Sequence, residues 1–250
     1  MSILKLTENI TKKEWDRTFR SFIIGSMLGD AYAERNYDNT KTRIRWDVSI
    51  RNQHYLDYLY NNINSYTPCS EPKLKNTEHI NGMTYTSLSF YTKSDEAFNG
   101  IHDYFYKGKL KIVPEDIEKL MCPLSISIWF QDDGSKTGNA LRISTNAYSL
   151  LEVEHLCHIL SQKFGISVSR HKTGKNRPDQ RVIYIPTKIV PQFYYLIKPY
   201  IHPTMLYKIP DKIIELPKNK AIVPFEANVI LHQQFDIVWY DQILTSNSES

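Results

Sequence analysis

Asp30 closes the apolar run Phe22-Ile23-Ile24-Gly25-Ser26-Met27-Leu28-Gly29, and Asp133 closes Leu124-Ser125-Ile126-Ser127-Ile128-Trp129-Phe130-Gln131-Asp132. A carboxylate at a helix C-terminus sits at the negative end of the helix dipole. Two such groups brought together also repel, so the arrangement is stable with a shared proton or a cation beside it. Hard carboxylate oxygens select Mg2+ or a similar ion. Beside a basic surface, such ions can activate water and stabilise a leaving oxygen, which is the chemistry of phosphodiester hydrolysis. Taken alone, Asp132-Asp133-Gly134 reads more simply as a turn. Gly25 and Gly29 resist so plain a reading, since each costs a helix interior about 1 kcal/mol relative to alanine. Close approach of a partner helix is the usual compensation, and the second apolar run can be that partner.

The elements that must position these acids are written twice along the chain. Trp15, Phe19, Phe22, Ile23, Ser26 and Met27 follow a helical period, with Thr11-Lys12-Lys13-Glu14 as a capping box ahead of them. Pro123 suits the first turn of the second helix. Both helices are apolar on all sides and must be buried on all sides. After Asp30, residues Arg43 to Arg51 alternate, with Arg43, Arg45, Asp47, Ser49 and Arg51 on one face and Ile44, Trp46, Val48 and Ile50 on the other. After Asp133, residues 140–146 alternate similarly, Arg142, Ser144 and Asn146 opposing Leu141 and Ile143. Such alternation predicts a half-buried strand with a polar, mostly basic side.

Each half then predicts a helix, through Tyr55, Leu56, Leu59 and Ile63 or through Val153, Leu156, Leu160 and Phe164. The second of these is opened by Ser149-Leu150-Leu151-Glu152 and closed by Gly165. A strand pair follows (Pro72 to Lys75 with Met83 to Thr92, then Ser167 to Lys172 with Arg181 to Ile185). A last helix carries Phe98, Ile101 and Phe105, or Val190, Phe193, Tyr194 and Ile197, and each half ends in a lysine shortly before a proline, Lys111 or Lys208. The order is α-β-β-α-β-β-α, twice. It predicts an α+β fold with a pseudo-twofold axis, halves at 1–118 and 119–213, and an extension at 214–250. Within the extension, residues 228–244 are expected to form a packed helix and 245–250 a frayed end.

Composition narrows the classes. With 250 residues, 41% hydrophobic and 23% charged, the chain can bury a core and is not globally disordered. It has no apolar stretch near 18 residues, so no membrane partner is expected. The first ten residues lack a secretory pattern and Glu8 argues against a transit peptide, so the protein is expected to be intracellular and made where it works. Its abundant Lys, Asn, Ile and Tyr fit an AT-rich coding genome and suggest a mitochondrion. Cys69, Cys122 and Cys157 form no CxxC pair, against a structural zinc site or disulfide scaffold. His155 and His158 read as a solvated helix face. Net charge is only +4, but its distribution is uneven: acids collect in helical stretches (115–118, 152–154) and bases in strands (43–51, 170–181). A polyanion needs a basic face rather than a basic protein.

These residues resemble two copies of the LAGLIDADG motif in the single-chain branch of the homing endonucleases. Ile23 to Ala31 and Ile126 to Gly134 occupy the nine motif positions, and Trp129-Phe130-Gln131-Asp132-Asp133-Gly134 with Ile197-Lys198-Pro199-Tyr200 make the likeness specific. It extends over about residues 12–213. The copies depart from the motif at its third position, Gly25 but Ile128, and at its last, Ala31 but Gly134. The resemblance implies two curved antiparallel sheets forming a DNA-binding saddle, and a monomer that makes a double-strand break with short 3′ overhangs in a long asymmetric site. It implies Mg2+ as cofactor, with Mn2+ able to substitute, and Asp30 and Asp133 as metal-binding acids, joined in the metal site by Gly29 and Asp132. By position, Lys111 and Lys208 would lie near the scissile phosphates as further catalytic residues. Within that fold the expected DNA contacts are Arg43, Arg45, Arg51, Arg142, His171, Lys172 and Arg181, then Lys73, Lys75 and Lys93. The alternatives are an RNA maturase acting on intron RNA and a non-cleaving DNA-binding protein of the same fold.

Overall fold

Helix α1 (Arg17–Leu28) forms from the first apolar run and buries every residue from Ser21 to Leu28. Its all-round apolarity is matched by α4 (Pro123–Asp133), where Ser125 to Gln131 are all buried. The computed structural model describes residues 17–78, 84–173 and 180–214. The capping box Thr11–Glu14, Trp15, Met83 and the expected tail helix and frayed end lie outside the described residues.

The two helices pack directly on each other, and the departures from the motif explain how. A Cβ placed on Gly25 would lie 2.4 Å from the Ser125 carbonyl oxygen and 2.7 Å from the Ile128 Cβ. A Cβ on Gly29 would lie 2.4 Å from Asp132 Oδ2. Gly25 and Ile128 hold the third motif position of their copies, and Gly29 and Asp132 the seventh. Near a twofold axis, equivalent positions meet each other. Here each meeting pairs a glycine from the first copy with a larger residue from the second, so the contact is complementary rather than symmetric.

Behind each helix lies a four-stranded antiparallel sheet. The first has the order β1-β2-β4-β3, from β1 (Tyr32–Arg35), β2 (Thr42–Ser49), β3 (Lys73–Glu78) and β4 (Thr84–Tyr91). The second has the order β7-β8-β10-β9, from β7 (Gly134–Thr137), β8 (Ala140–Ser144), β9 (Ser169–Lys172) and β10 (Arg181–Ile185). Helices α2 (Gln53–Asn64) and α3 (Asn99–Phe105) complete the first half, and α5 (Leu150–Phe164) and α6 (Val190–Ile197) the second. The predicted order α-β-β-α-β-β-α is therefore present twice. It is joined by a two-stranded ribbon, β5 (Tyr106–Lys107) with β6 (Leu110–Lys111), that turns at Gly108 with φ of 61°. The Ser149 hydroxyl accepts the Glu152 amide at the start of α5, and Gly165 closes that helix at φ of 67°. Among the described residues no helix is long and apolar enough to cross a membrane.

Register decides what each sheet presents. In the first sheet Ala33, Ile44, Trp46, Phe90 and Leu88 turn to the core, with Trp46 stacked on Phe90 at 4.7 Å. The cross-strand sets Tyr32↔Arg45↔Tyr91, Glu34↔Arg43 and Asp47↔Ser89↔Lys73, with Lys75↔Ser87, occupy the opposite, open face. In the second sheet the open face carries Ser135, Arg142 and Tyr184 in one row and Ser144, Val182 and His171 in the next.

Two expectations about strand faces are corrected. The first concerns Arg51: β2 ends at Ser49, and Ile50–Asn52 form a 3-10 turn leading into α2, so Arg51 is exposed but leaves the strand row. The second concerns Lys172 and Arg181, which pair across strands on the face opposite Arg142 and His171. Consecutive residues of a strand point to opposite faces, so His171 and Lys172 cannot share one.

Candidate active site

The packing of α1 against α4 brings their C-terminal ends together, and with them Asp30, Asp132 and Asp133. Helix α4 runs through Asp133, whereas α1 stops at Leu28, two residues before Asp30. The Ala31 amide reaches back to the Ser26 carbonyl at 2.9 Å. The Asp30 amide instead donates across the pseudo-twofold to Asp132 Oδ2 at 3.3 Å. Asp132 Oδ1 accepts the hydroxyl of Tyr55, from α2, at 2.8 Å.

Both predicted lysines arrive at these helix ends. Lys111 lies on β6, and its Nζ donates to the carbonyls of Gly29 and Ala31, each at 2.8 Å. Lys208 ends the 3-10 segment Pro203–Lys208, and its Nζ donates to the carbonyls of Gln131 and Asp132, the latter at 2.9 Å. An ammonium on the last carbonyls of a helix offsets the negative dipole end that also carries the acid. The Ile197-Lys198-Pro199-Tyr200 phrase has a structural counterpart here. Gln131, fully buried, donates to the Tyr200 carbonyl at 3.2 Å and accepts the His202 amide at 2.7 Å, fixing the segment that leads to Lys208.

Burial and mutual repulsion act on the acids in the same direction. Burial, then the charge of Asp30, pushes Asp133 up to about 7, against the pull of Lys111 and Lys208. Asp132 is raised well above the carboxylate range, by burial first and by Asp30 next. Asp30 is raised by the protein crowded around it and lowered by the two lysines. Its side chain is exposed, so water moderates that crowding. Burial lowers Lys111 to about 8 despite three nearby carboxylates, and lowers Lys208 as well. Three acids and two ammonium groups thus share one small volume, with the acids short of counter-charge.

The predicted DNA residues are only partly gathered. Arg43, Arg45, Lys73 and Lys75 share the open face of the first sheet, and exposed Lys93 follows it just beyond β4. Arg142 and His171 lie on the open face of the second, where His171 stacks on Tyr184 at 4.4 Å. Lys172 and Arg181 instead line a cavity of about 710 Å3 against α5, with Glu154, Cys157 and Arg170. None of Asp30, Asp132 and Asp133 lines that cavity.

Several residues of the site and its surroundings have no counterpart among the predicted ones. Glu34 and Asp47 hold the arginines of β2: Glu34 Oε2 accepts Arg43 Nε at 2.6 Å, and Asp47 Oδ2 lies 3.2 Å from Arg45 Nε. Arg43 also lies over the Tyr91 ring at 4.7 Å. Tyr148 donates to the Leu28 carbonyl at 2.9 Å, reaching from the second half to the end of α1, as Tyr55 reaches from the first half to the end of α4. The available signal was the polar tip that each of these tyrosines carries into an apolar pattern, since a buried tyrosine hydroxyl needs a partner.

Comparison with known proteins agrees with this fold. The chain is 34% identical over 199 residues to the cytochrome b mRNA maturase bI2 of Debaryomyces hansenii, covering 79% of this chain and 75% of that protein. It is 33% identical over 197 residues to the maturase of the same name from Saccharomyces cerevisiae, covering 76% of this chain but only 46% of the relative. Among solved structures, the homing endonuclease I-WcaI bound to its DNA recognition sequence superposes with a TM-score of 0.71 at 28% identity, over 80% of this chain and 90% of that one. The model of the LAGLIDADG DNA endonuclease family matches residues 20–193, a span that holds both motif copies: the chain belongs to that family.

Proposed function

We propose that this protein is a site-specific endonuclease that binds double-stranded DNA as a monomer and cuts both strands of a long asymmetric target by metal-dependent phosphodiester hydrolysis. The observation that carries this reading is the meeting of Asp30 and Asp133 at two adjoining helix ends, each flanked by a lysine. The solved likeness to I-WcaI with its DNA supports DNA as the partner. We read residues 1–118 and 119–213 as half-domains and 214–250 as an extension, and on composition we assign the protein to a mitochondrion.

The donor chemistry fits a hard divalent cation, Mg2+ in the first instance with Mn2+ able to substitute. Burial and then the charge of Asp30 raise Asp133, a cost that a cation beside the two acids would offset, and the neighbouring helix-end carbonyls already take ammonium groups. Asp30 and Asp133 would hold the ion, with the carbonyls of Gly29 and Asp132 beside them. Among the described residues no group of three His, Cys, Asp or Glu could hold a metal alone, so phosphate oxygens and water would complete the coordination. Such an ion, when bound, would supply the chemistry of activating water and stabilising the leaving oxygen. Lys111 and Lys208 contribute positive charge at the helix ends, where phosphate oxygens would gain negative charge. Lys111 stays mostly protonated at neutral pH, being lowered only to about 8.

The raised acids give a pH test without DNA. An acid whose folded pKa exceeds its unfolded value penalises folding once it ionises. For Asp133 the penalty is absent below 3.8 and complete above about 7. The metal-free protein should therefore lose stability as pH rises through that window. Mg2+ should raise Tm more at pH 8 than at pH 5, and scanning fluorimetry would measure it. Equal gains at both pH values would remove the metal from between these acids.

The function is tested by incubating the chain and Mg2+ with duplex DNA carrying the intronless insertion site of its host gene; a double-strand break with short 3′ overhangs is expected. Lys111→Met and Lys208→Met should each slow that cleavage and favour nicking, each half serving one strand. Wild-type rates for both would end their assignment. A second reading, RNA maturase, is favoured by the names of the two yeast relatives. Promotion of intron splicing without DNA cleavage would select it.

A further inference from the structure

The side chain of Asp132, idle in the chemistry assigned to the site, links the two halves. It crosses from the end of α4 to the end of α1, where Oδ2 accepts the amide of Asp30 at 3.3 Å. That amide is available because the Ala31 amide has taken the Ser26 carbonyl, the acceptor that the Asp30 amide would meet in a continued α-helix. Oδ1 is held by the Tyr55 hydroxyl at 2.8 Å, and Tyr55 is 1% exposed and also reaches the Ile128 carbonyl at 3.4 Å. The link runs one way. The equivalent position in the first half is Gly29, whose Cβ would collide with the Asp132 carboxylate. Asp133 needs no such support, because it lies within α4 while Asp30 lies past the end of α1. Tyr148, which makes the opposite crossing, ends on a backbone carbonyl instead of a carboxylate.

We propose that the Asp132 side chain and Tyr55 are positioning residues for Asp30, and that this one-sided support makes the two strand cuts unequal in their dependence on the α1–α4 contact. This rests on the nuclease reading. Tyr55 holds the Asp132 carboxylate against the Asp30 backbone, and the loop that carries Asp30 is fixed by that bond. Without the Tyr55 hydroxyl, Asp132 is free to turn away, and Asp30 loses its anchor while Asp133 keeps the helix that holds it. Both substitutions should therefore act on one strand, the one that Lys111 serves, since Lys111 binds the carbonyls on either side of Asp30.

The test uses the full-length chain with a duplex labelled on each strand, and Tyr55→Phe, Asp132→Ala and Asp132→Asn variants. Loss of this buried hydrogen bond should slow the Lys111-side strand by about tenfold in Tyr55→Phe, leaving nicked duplex to accumulate. Asp132→Ala should show the same strand bias. Asp132→Asn keeps an acceptor oxygen and should return the ratio of the two rates towards wild type. A merely structural role would slow both strands alike, and that result, or a bias towards the Lys208-side strand, would overturn the proposal. A second readout needs no cleavage. In metal-free protein the Asp30 amide should exchange its hydrogen faster in Tyr55→Phe and Asp132→Ala than in wild type, and unchanged exchange in both would also overturn it. If wild-type protein cuts no duplex, the nuclease reading and the strand inequality fail together, and amide exchange alone decides whether Asp132 holds Asp30.

Discussion

Asp30→Asn and Asp133→Asn are each expected to reduce double-strand cleavage below detection while DNA affinity stays within about tenfold of wild type, roughly 1.4 kcal/mol. Asparagine keeps the size of aspartate and much of its hydrogen bonding, so α1 and α4 can pack as before. Removing the Asp30 charge takes away one of the influences that push Asp133 up to about 7. The variants should therefore fold at least as well as wild type in the absence of metal, and above pH 7 their Tm should be higher. A loss of cutting together with a gain in stability separates chemistry from folding, because misfolding would lower both. The same substitutions should abolish the additional Tm gain that Mg2+ gives at pH 8. Gel analysis of a labelled duplex, with filter or fluorescence binding alongside, measures the two effects. Double-strand cleavage at the wild-type rate by either variant would remove the acids from the chemistry.

How much of this was legible in the sequence follows from how local each signal is. The helices that carry the acids are apolar on every side, and only burial on every side satisfies such a segment, so α1 and α4 could be read directly. The strands of the open faces followed from alternation over Arg43 to Arg51 and over Ala140 to Asn146, each running two residues past the strand's end at Ser49 or Ser144. Gly25 and Gly29 pointed to a close neighbour, and α4 is that neighbour. What sequence could not give is register between distant segments. Tyr55 read as one more core position of an amphipathic helix, because its partner Asp132 lies 77 residues away. Glu34 went unremarked and Asp47 read only as one member of a polar strand face, because their significance comes from pairing with Arg43 and Arg45. Lys172 and Arg181 were grouped with His171 as a basic stretch, and only the strand's alternation separates them. Properties of a single element were legible, and properties of a pair of elements were mostly not.

That pairing of acids with arginines makes the last prediction sharper than a count of positive charges would. A groove spanning both halves should cover about two turns of duplex, near 20 base pairs at roughly 10–10.5 per turn. Binding should weaken steeply with salt, by about 0.9 log units per log unit of salt for each phosphate neutralised, so that 6–10 contacts would cost about 10³–10⁵ in affinity between 50 and 200 mM. The basic residues should not share this slope equally. Arg43 and Arg45 are already matched by Glu34 and Asp47 on the same face, so they add little net charge. Lys73 and Lys75 have no ion pair among the described residues and stand exposed on the same face. Replacing Lys73 or Lys75 with alanine should weaken binding to all sequences alike and lower the salt slope by about one unit. Replacing Arg43 or Arg45 should instead leave the slope nearly unchanged, cost about 1–3 kcal/mol at a target guanine and relax preference at a single base pair. Because the two open faces carry different residues, selection from a randomised duplex library should return a long, non-palindromic site. A short or palindromic optimum would mean that one half reads alone or that two chains act together. A salt slope carried by the arginines instead of the lysines would mean that the carboxylate pairs open when DNA binds.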